Sequence, residues 1–293
     1  MSSRAVAIEV KELRKHFGSF TALEGTTFNV SKGDIFGFLG PNGAGKTTTI
    51  RCLMDFIRAD GGSAKILGLD SEQDSVQLKR KIGYLPASEQ YYENWSGQEH
   101  IEFVAKLRGV KPSSPLIKQL GFNPNSKVKH LSTGNRQKLG IILAFLGNPE
   151  VLIMDEPTRG LDPILQNQVY EILTEHKSKG GTVFMSSHNL PEVAKICDSV
   201  AVIREGAIVA EETIESLRNK SVHHIDVTFE KPFVDHKTLE GNGVKIAHSS
   251  KYGVSLRVKG DLNRTLRLIT KQPVKDLEVT HASLEEIFLE IYK

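Results

Sequence analysis

The sequence predicts an α/β protein: a mostly parallel, buried sheet with helices on both faces, an inserted helical subdomain, and a small α+β extension at the C-terminal end. Three observations predict it. Short and almost wholly apolar runs at 34–39, 151–154, 182–186 and 199–203 alternate with helical patterns, as strands of a parallel sheet covered on both faces do. A glycine-rich loop separates the first of these runs from a helix. Beyond about residue 220 the runs become alternating apolar and polar, the pattern of half-buried strands.

Composition sets outer bounds. A chain of 293 residues holds one large domain, or a large one with a small one. The hydrophobic share of 39% and charged share of 25% are ordinary for a globular protein. A formal net charge of +3 gives no case for a nucleic-acid partner, and the basic tract Lys79-Arg80-Lys81 reads as a solvated helix face. Cys52 and Cys197 lie far apart, with neither metal-ligand spacing nor a disulfide framework. Met1 to Val10 has no long apolar run, so no signal peptide is expected. Nowhere do 18 apolar residues follow one another, so no intrinsic membrane span is expected, and any path across a bilayer belongs to another chain.

In chain order, residues 6 to 30 read as short β pieces with turns at Phe17-Gly18-Ser19 and Ser31-Lys32-Gly33. The strand Asp34 to Leu39 leads into the glycine loop and a helix over 47–57. A short strand at 64–67 and a polar helix ending near Lys81 follow. From about 97 to 147 the apolar positions Ile101, Val104, Ala105, Leu107, Leu139, Ile142, Leu143, Phe145 and Leu146 keep helical spacing. Pro112, Pro115, Gly121 and Pro124 break that region into pieces. The helical subdomain therefore spans about 87–147. Strands at 151–154, 182–186, 199–203 and 207–210 then alternate with helices near 163–179 and after Pro191. A boundary near Leu217 to Ser221 divides a domain of residues 1–220 from one of 221–293. The second contains alternating strands at 225–229 and 254–258, a helix at 262–270, a strand at 274–279, and an amphipathic helix over 283–292 with Ser283 as its cap.

The chemistry centres on Gly40-Pro41-Asn42-Gly43-Ala44-Gly45-Lys46-Thr47-Thr48, which fits G-x-x-x-x-G-K-[ST] without mismatch. Glycines that take positive φ let backbone N–H groups converge on an anion, and the helix N-terminus adds partial positive charge. Lys46 is expected to reach the β- and γ-phosphates, and the Thr47 hydroxyl to ligate Mg²⁺. Val151-Leu152-Ile153-Met154 ends in Asp155 and Glu156. Asp155 is expected to hold Mg²⁺ through water, and Glu156 to act as general base toward the attacking water. Leu131-Ser132-Thr133-Gly134-Asn135 opens an apolar helix, where Ser132, the Gly134 amide and the helix terminus form a second anion site, or a plain helix cap. His188 follows the strand 182–186 and is placed to sense a γ-phosphate, although a lone histidine is more often structural.

Taken together, these motifs resemble those of the ATP-binding subunits of ABC transporters. The resemblance covers roughly residues 6 to 220. GPNGAGKTT is similar to the family's Walker A, LSTGN to its LSGGQ signature, VLIMDE to its Walker B, Gly160-Leu161-Asp162 to its D-loop, and His188 to its switch histidine. The resemblance implies a RecA-like P-loop ATPase core with an antiparallel β part, ATP and Mg²⁺ as ligands, and a head-to-tail dimer. Each ATP would be held by one subunit's Walker A and by the other's Ser132, Gly134 and Asn135, with Asp162 at the dimer contact. It implies Phe17 as the aromatic that stacks on adenine, with a core role as the alternative. It also implies a separate transmembrane subunit, a homodimer or paired ABC subunit, and a peripheral place on the cytoplasmic face of the membrane. Leu284-Glu285-Glu286-Ile287-Phe288 resembles the C-terminal extension of drug, antibiotic and ion exporters.

The chain departs from the family at Ala87, where a glutamine usually touches Mg²⁺ and the attacking water, and at Thr133 and Asn135 in the signature. These changes bear on turnover and metal geometry more than on ATP binding. Two other functional classes compete with a transporter motor. A nucleotide-gated binding module would close on ATP with little turnover. A soluble ABC ATPase would ordinarily carry two cassettes or a long coiled coil, and this chain has one cassette and a short insert.

Overall fold

The fold is seen in a computed structural model that describes residues 5–88, 90–219, 223–232, 235–241, 243–259 and 261–281. The chain forms two compact units, Met1–Ile214 and Glu215–Lys293.

The first unit contains two sheets. Strands β1 (Val6–Phe17) and β2 (Phe20–Ser31) form a long hairpin closed by Phe17 opposite Phe20. The sequence reads this region as shorter pieces because β1 is bulged between Val10 and Leu13, where Glu12 takes φ +49° and the in–out alternation slips. Next come β3 (Ile35–Leu39), α1 (Lys46–Leu53), β4 (Gly61–Ile66) and β5 (Leu69–Asp70). The helix α1 is shorter than its apolar pattern suggests, because Asp55 takes φ +51° just past its end. The antiparallel sheet has the order β2-β1-β4-β5.

Then follow α2 (Ser75–Lys81), β6 (Ile82–Leu85), α3 (Gly97–Arg108), α4 (Leu116–Gln119) and α5 (Thr133–Phe145). The sequence pattern does not mark β6, and Gly83 is the reason. A Cβ there would sit 2.1 Å from the Ala144 carbonyl, so the last turn of α5 packs on this edge strand only against glycine. The unit closes with β7 (Val151–Asp155), α6 (Pro163–Ser178), β8 (Thr182–Ser187), α7 (Leu190–Ile196), β9 (Ser199–Arg204), β10 (Ala207–Thr213) and the start of α8 (Ile214–Asn219).

The second sheet has the order β10-β9-β3-β8-β7-β6, parallel throughout except for β10 on its edge. Every residue of β3, β7 and β8 is buried, which is why these strands read as unbroken apolar runs. Phe28 from the antiparallel sheet packs on Phe36, Phe38 and Phe184 of the parallel one, with ring centroids 5.1 to 5.7 Å away. Truncating one such buried ring costs about 3–5 kcal/mol, so this cluster fixes the two sheets to each other. Parallel register places Leu39 beside Ser187 and Asp155 beside Ser186. The carboxyl ends of β3, β7 and β8 therefore meet, and that is where ligands bind in α/β sheets.

The second unit is a four-stranded antiparallel sheet in the order β12-β13-β11-β14, formed by β11 (His223–Phe229), β12 (Val244–Ser249), β13 (Gly253–Val258) and β14 (Val274–His281), with α9 (Leu262–Ile269) between the last two. Its core holds Ile225, Val227, Phe229, Leu239, Val254, Leu256, Val258 and Ile269. β12 is not marked by the sequence pattern; beyond Val244 none of its residues is fully buried. The helix expected over 283–292 lies outside the described residues.

Candidate active site

The three strand tips open into a cleft of about 360 Å³ lined by Phe20, Ala22, Asn42, Gly43, Gly45, Lys46, Thr47, Thr48, Ala87, Glu156, Arg159 and His188. Its floor is the glycine loop. Gly45 takes φ +112° as the N-cap of α1, a conformation that L side chains rarely adopt, and a Cβ on it would sit 2.8 Å from the Ala22 carbonyl. No side chain caps α1, so its first amides are available to an anion. Pro41 and Ala44 form the turn through an Ala44 N–H to Pro41 carbonyl hydrogen bond of 3.2 Å, and Ala44 packs in the core.

Lys46 is buried, and its ammonium donates to the carbonyls of Gly40 at 2.6 Å and Pro41 at 3.1 Å. It also lies 3.6 Å from Oε1 of Glu156. The Thr47 hydroxyl donates to Oδ2 of Asp155 at 2.8 Å, and Ser186 donates to the other oxygen of that carboxylate. Asp155 is 1% exposed. A threonine hydroxyl bonded to a buried carboxylate beside a phosphate loop is an all-oxygen, hard donor set, and it fits Mg²⁺. Burial, then the charge of Asp155, pushes the nearby Tyr84 phenol up to about 12.

Glu156 follows β7 at φ +55°, an uncommon conformation for a non-glycine residue that turns its side chain out of the strand and toward the cleft. Its amide donates to the Ser186 hydroxyl at 3.0 Å, and its Oε2 lies 2.7 Å from Nδ1 of His188.

Other residues named from the sequence lie elsewhere. Phe17 is half exposed at the hairpin tip with the Lys15 ammonium 5.5 Å from its ring; Phe20, its partner across the turn, lines the cleft instead. Ser132 caps α5, accepting from the Asn135 amide at 3.3 Å. Ser132, Gly134 and Asn135 do not line the cleft of their own chain. Asp162 caps α6 through the amides of Ile164 and Leu165 at 3.0 and 2.9 Å. The starts of α5 and α6 are neighbours: a Cβ on Gly134 would lie 3.8 Å from Leu165, and one on Gly160 would lie 3.9 Å from Thr133.

Sequence reasoning missed three features. Arg159 adds a cation to the cleft. Gln137 donates to the Pro157 carbonyl at 2.7 Å and so ties α5 to the loop after Glu156. Glu192 gathers two hydroxyls behind the cleft. Arg159 lies three residues past Glu156 in the same loop, a local signal; the other two join elements far apart in sequence and leave no local pattern.

Comparison with known proteins agrees with this geometry. The family model described as ABC transporter matches residues 23–159. The lantibiotic transport ATP-binding protein SrtF of Streptococcus pyogenes is 34% identical over 229 residues, covering 76% of this chain and 99% of that one. The chain belongs to the ABC transporter ATP-binding proteins. As a member of that family it is an ATPase. The bacitracin transport ATP-binding protein BcrA of Bacillus licheniformis is also 34% identical, covering 75% of this chain and 74% of its own. The uncharacterized ABC transporter ATP-binding protein YhcH of Bacillus subtilis is 29% identical over 97% of this chain, a span that takes in the second unit of this ABC ATPase. A solved ATP-binding subunit of an ABC transporter superposes with a TM-score of 0.68 at 31% identity, over 73% of this chain and 92% of that one.

Proposed function

We propose that this ATPase is one of two cassettes that together drive a separate transmembrane subunit, and that the cargo is an exported drug- or antibiotic-like molecule. The observation that carries the reading is the convergence of Lys46, Glu156 and His188 in one cleft, 3.6 and 2.7 Å apart. Lys46 trades its loop carbonyls for the β- and γ-phosphate oxygens of ATP, and the amides of Gly43, Ala44, Gly45 and Thr48 line the same phosphates. Thr47 and Asp155 would hold Mg²⁺, which would neutralise phosphate charge. Glu156 accepts the proton of the attacking water, and His188 orients Glu156 and the γ-phosphate. Ser132, Gly134 and Asn135, which lie outside their own chain's cleft, serve the nucleotide of the second cassette. Asp162 lies at the contact between the two. The second cassette is a copy of this chain or a paired ABC subunit.

Support for the membrane partner comes from the segment leading into α3. Tyr92 and Phe103 are 60% and 41% exposed, and their rings pack on Trp95 at 4.5 and 5.5 Å. Aromatic side chains of this kind anchor interfaces. Arg136 holds the segment in place by a bidentate pair with Glu93 at 2.7 and 2.8 Å. Among the described residues no helix is long and apolar enough to cross a membrane. The reading puts the chain peripherally on the cytoplasmic face, docked on a partner. The names of the lantibiotic and bacitracin relatives support the cargo class.

The test is purification of the tagged chain from native membranes in mild detergent. A multi-helix chain without a nucleotide domain is expected to come with it. A purely soluble complex would overturn the membrane reading.

A further inference from the structure

We infer that Glu192 is a positioning residue that sets the geometry of the Glu156–His188 pair, an inference that rests on the reading of Glu156 as the base. Glu192 lies in the first turn of α7 and is 4% exposed. Its two oxygens are held from two sides: Thr158, in the loop after β7, donates to Oε1 and Ser187, at the end of β8, donates to Oε2, with the Tyr170 phenol of α6 hydrogen-bonded to the same carboxylate. Thr158 stands two residues after Glu156, and Ser187 immediately precedes His188. Both donors are buried as well.

A carboxylate sealed from water with two hydroxyl donors is an expensive way to fill space, since an apolar side chain would do so without the desolvation penalty. Burial pushes the Glu192 carboxyl above its usual range. What the carboxylate adds is a bridge of fixed span between the loop after β7 and the end of β8. The Ser187 hydroxyl also accepts from the Asn189 amide at 2.9 Å, and the Asn189 side chain caps α7 by accepting from the Glu192 amide at 3.4 Å. The loop carrying His188 is thereby closed on itself around Glu192. In front, Ser186 already links the strand tips by accepting from the Glu156 amide and donating to Asp155. Glu192 makes the second link from behind. Two links fix both the distance and the angle of the pair, where one would leave a hinge.

Side chains that hold reacting groups in register matter because a misplacement of about 1 Å can cost about 100-fold in rate. The experiment measures kcat for ATP hydrolysis and Kd for a fluorescent ATP analogue in the full chain and its variants. Glu192→Ala is expected to lower kcat at least about tenfold with Kd unchanged within about twofold. Glu192→Gln, which can still meet both hydroxyls, is expected to recover most of the rate. The double variant Glu192→Ala/His188→Ala is expected to be no slower than His188→Ala alone, because contacts acting through one another are not additive. Thr158→Val removes one arm of the bridge without emptying the Glu192 site, and the same split between kcat and Kd is expected of it should the alanine variant fail to fold. A wild-type rate in Glu192→Ala or Thr158→Val beside an inactive Glu156→Gln would overturn the role of Glu192 alone. So would a glutamine variant no faster than the alanine, or additive losses in the double variant. A wild-type rate in Glu156→Gln would overturn the assignment of the base, and this inference with it.

Discussion

Nδ1 of His188 lies 2.7 Å from Oε2 of Glu156, and the Glu156 backbone is held at φ +55° to allow it. A glutamate continuing β7 in extended geometry would point to one face of the sheet or the other. The left-handed turn brings it to the cleft beside Lys46 instead. The two residues come from consecutive elements of the parallel sheet, β7 and β8, so their meeting follows from strand order.

The roles of Lys46 and His188 separate binding from turnover. Lys46→Ala is expected to weaken ATP binding at least about tenfold, since a charge-assisted phosphate contact is worth about 1.5–3 kcal/mol. His188→Ala is expected to retain nucleotide affinity and to lose turnover by about 100-fold or more. Equilibrium titration with a fluorescent ATP analogue and steady-state phosphate release read the two effects separately.

Trp95→Ala is expected to weaken association with the membrane partner at least about tenfold if the Tyr92–Trp95–Phe103 cluster anchors it. ATP affinity should hold, because Trp95 does not line the cleft. Unchanged retention on native membranes in this variant would move the docking surface elsewhere.

Gly83→Ala would thrust a methyl group to 2.1 Å from the Ala144 carbonyl, a backbone atom that cannot swing aside. A loss of about 1–3 kcal/mol or more in unfolding free energy is expected, read as a lower urea midpoint at unchanged slope.

His176 links stability to pH. It is buried on α6, edge-on to Phe145 at 5.4 Å, with its Nε2 without a hydrogen-bond partner. Burial, with a smaller contribution from Lys179, holds its folded pKa below 6.5. The unfolded chain therefore binds a proton at this ring before the folded one does. The stability contribution is present above 6.5 and is lost as pH falls through that value toward the folded pKa. The urea midpoint should fall more steeply between pH 7.5 and 5.5 in the wild type than in His176→Phe. Equal slopes would show that other groups govern that window.

Much of the site was legible because its parts are contiguous. The nine residues from Gly40 to Thr48 form a cradle with their own backbone, and an apolar strand announces each acid or histidine at its tip. The features that were not legible depend on the packing of distant elements. β6 is written as glycine where α5 presses on it, and Phe20 lines the cleft from across the hairpin turn that it shares with Phe17. Glu192 looks like a helix-surface acid after Pro191, and only the fold brings Thr158 to it across 34 positions of sequence. Local chemistry is read from local pattern; bridges between strand tips are set by the topology.

The role of Glu156 as the base is tested by steady-state phosphate release from the wild-type chain and from Glu156→Gln, measured side by side at saturating ATP and Mg²⁺. Wild-type turnover is expected to exceed that of the variant by about 100-fold or more, with the variant still binding ATP. Equal rates in the two proteins would contradict that role. They would leave a chain that closes on nucleotide without consuming it, as Ala87 at the cleft wall would allow.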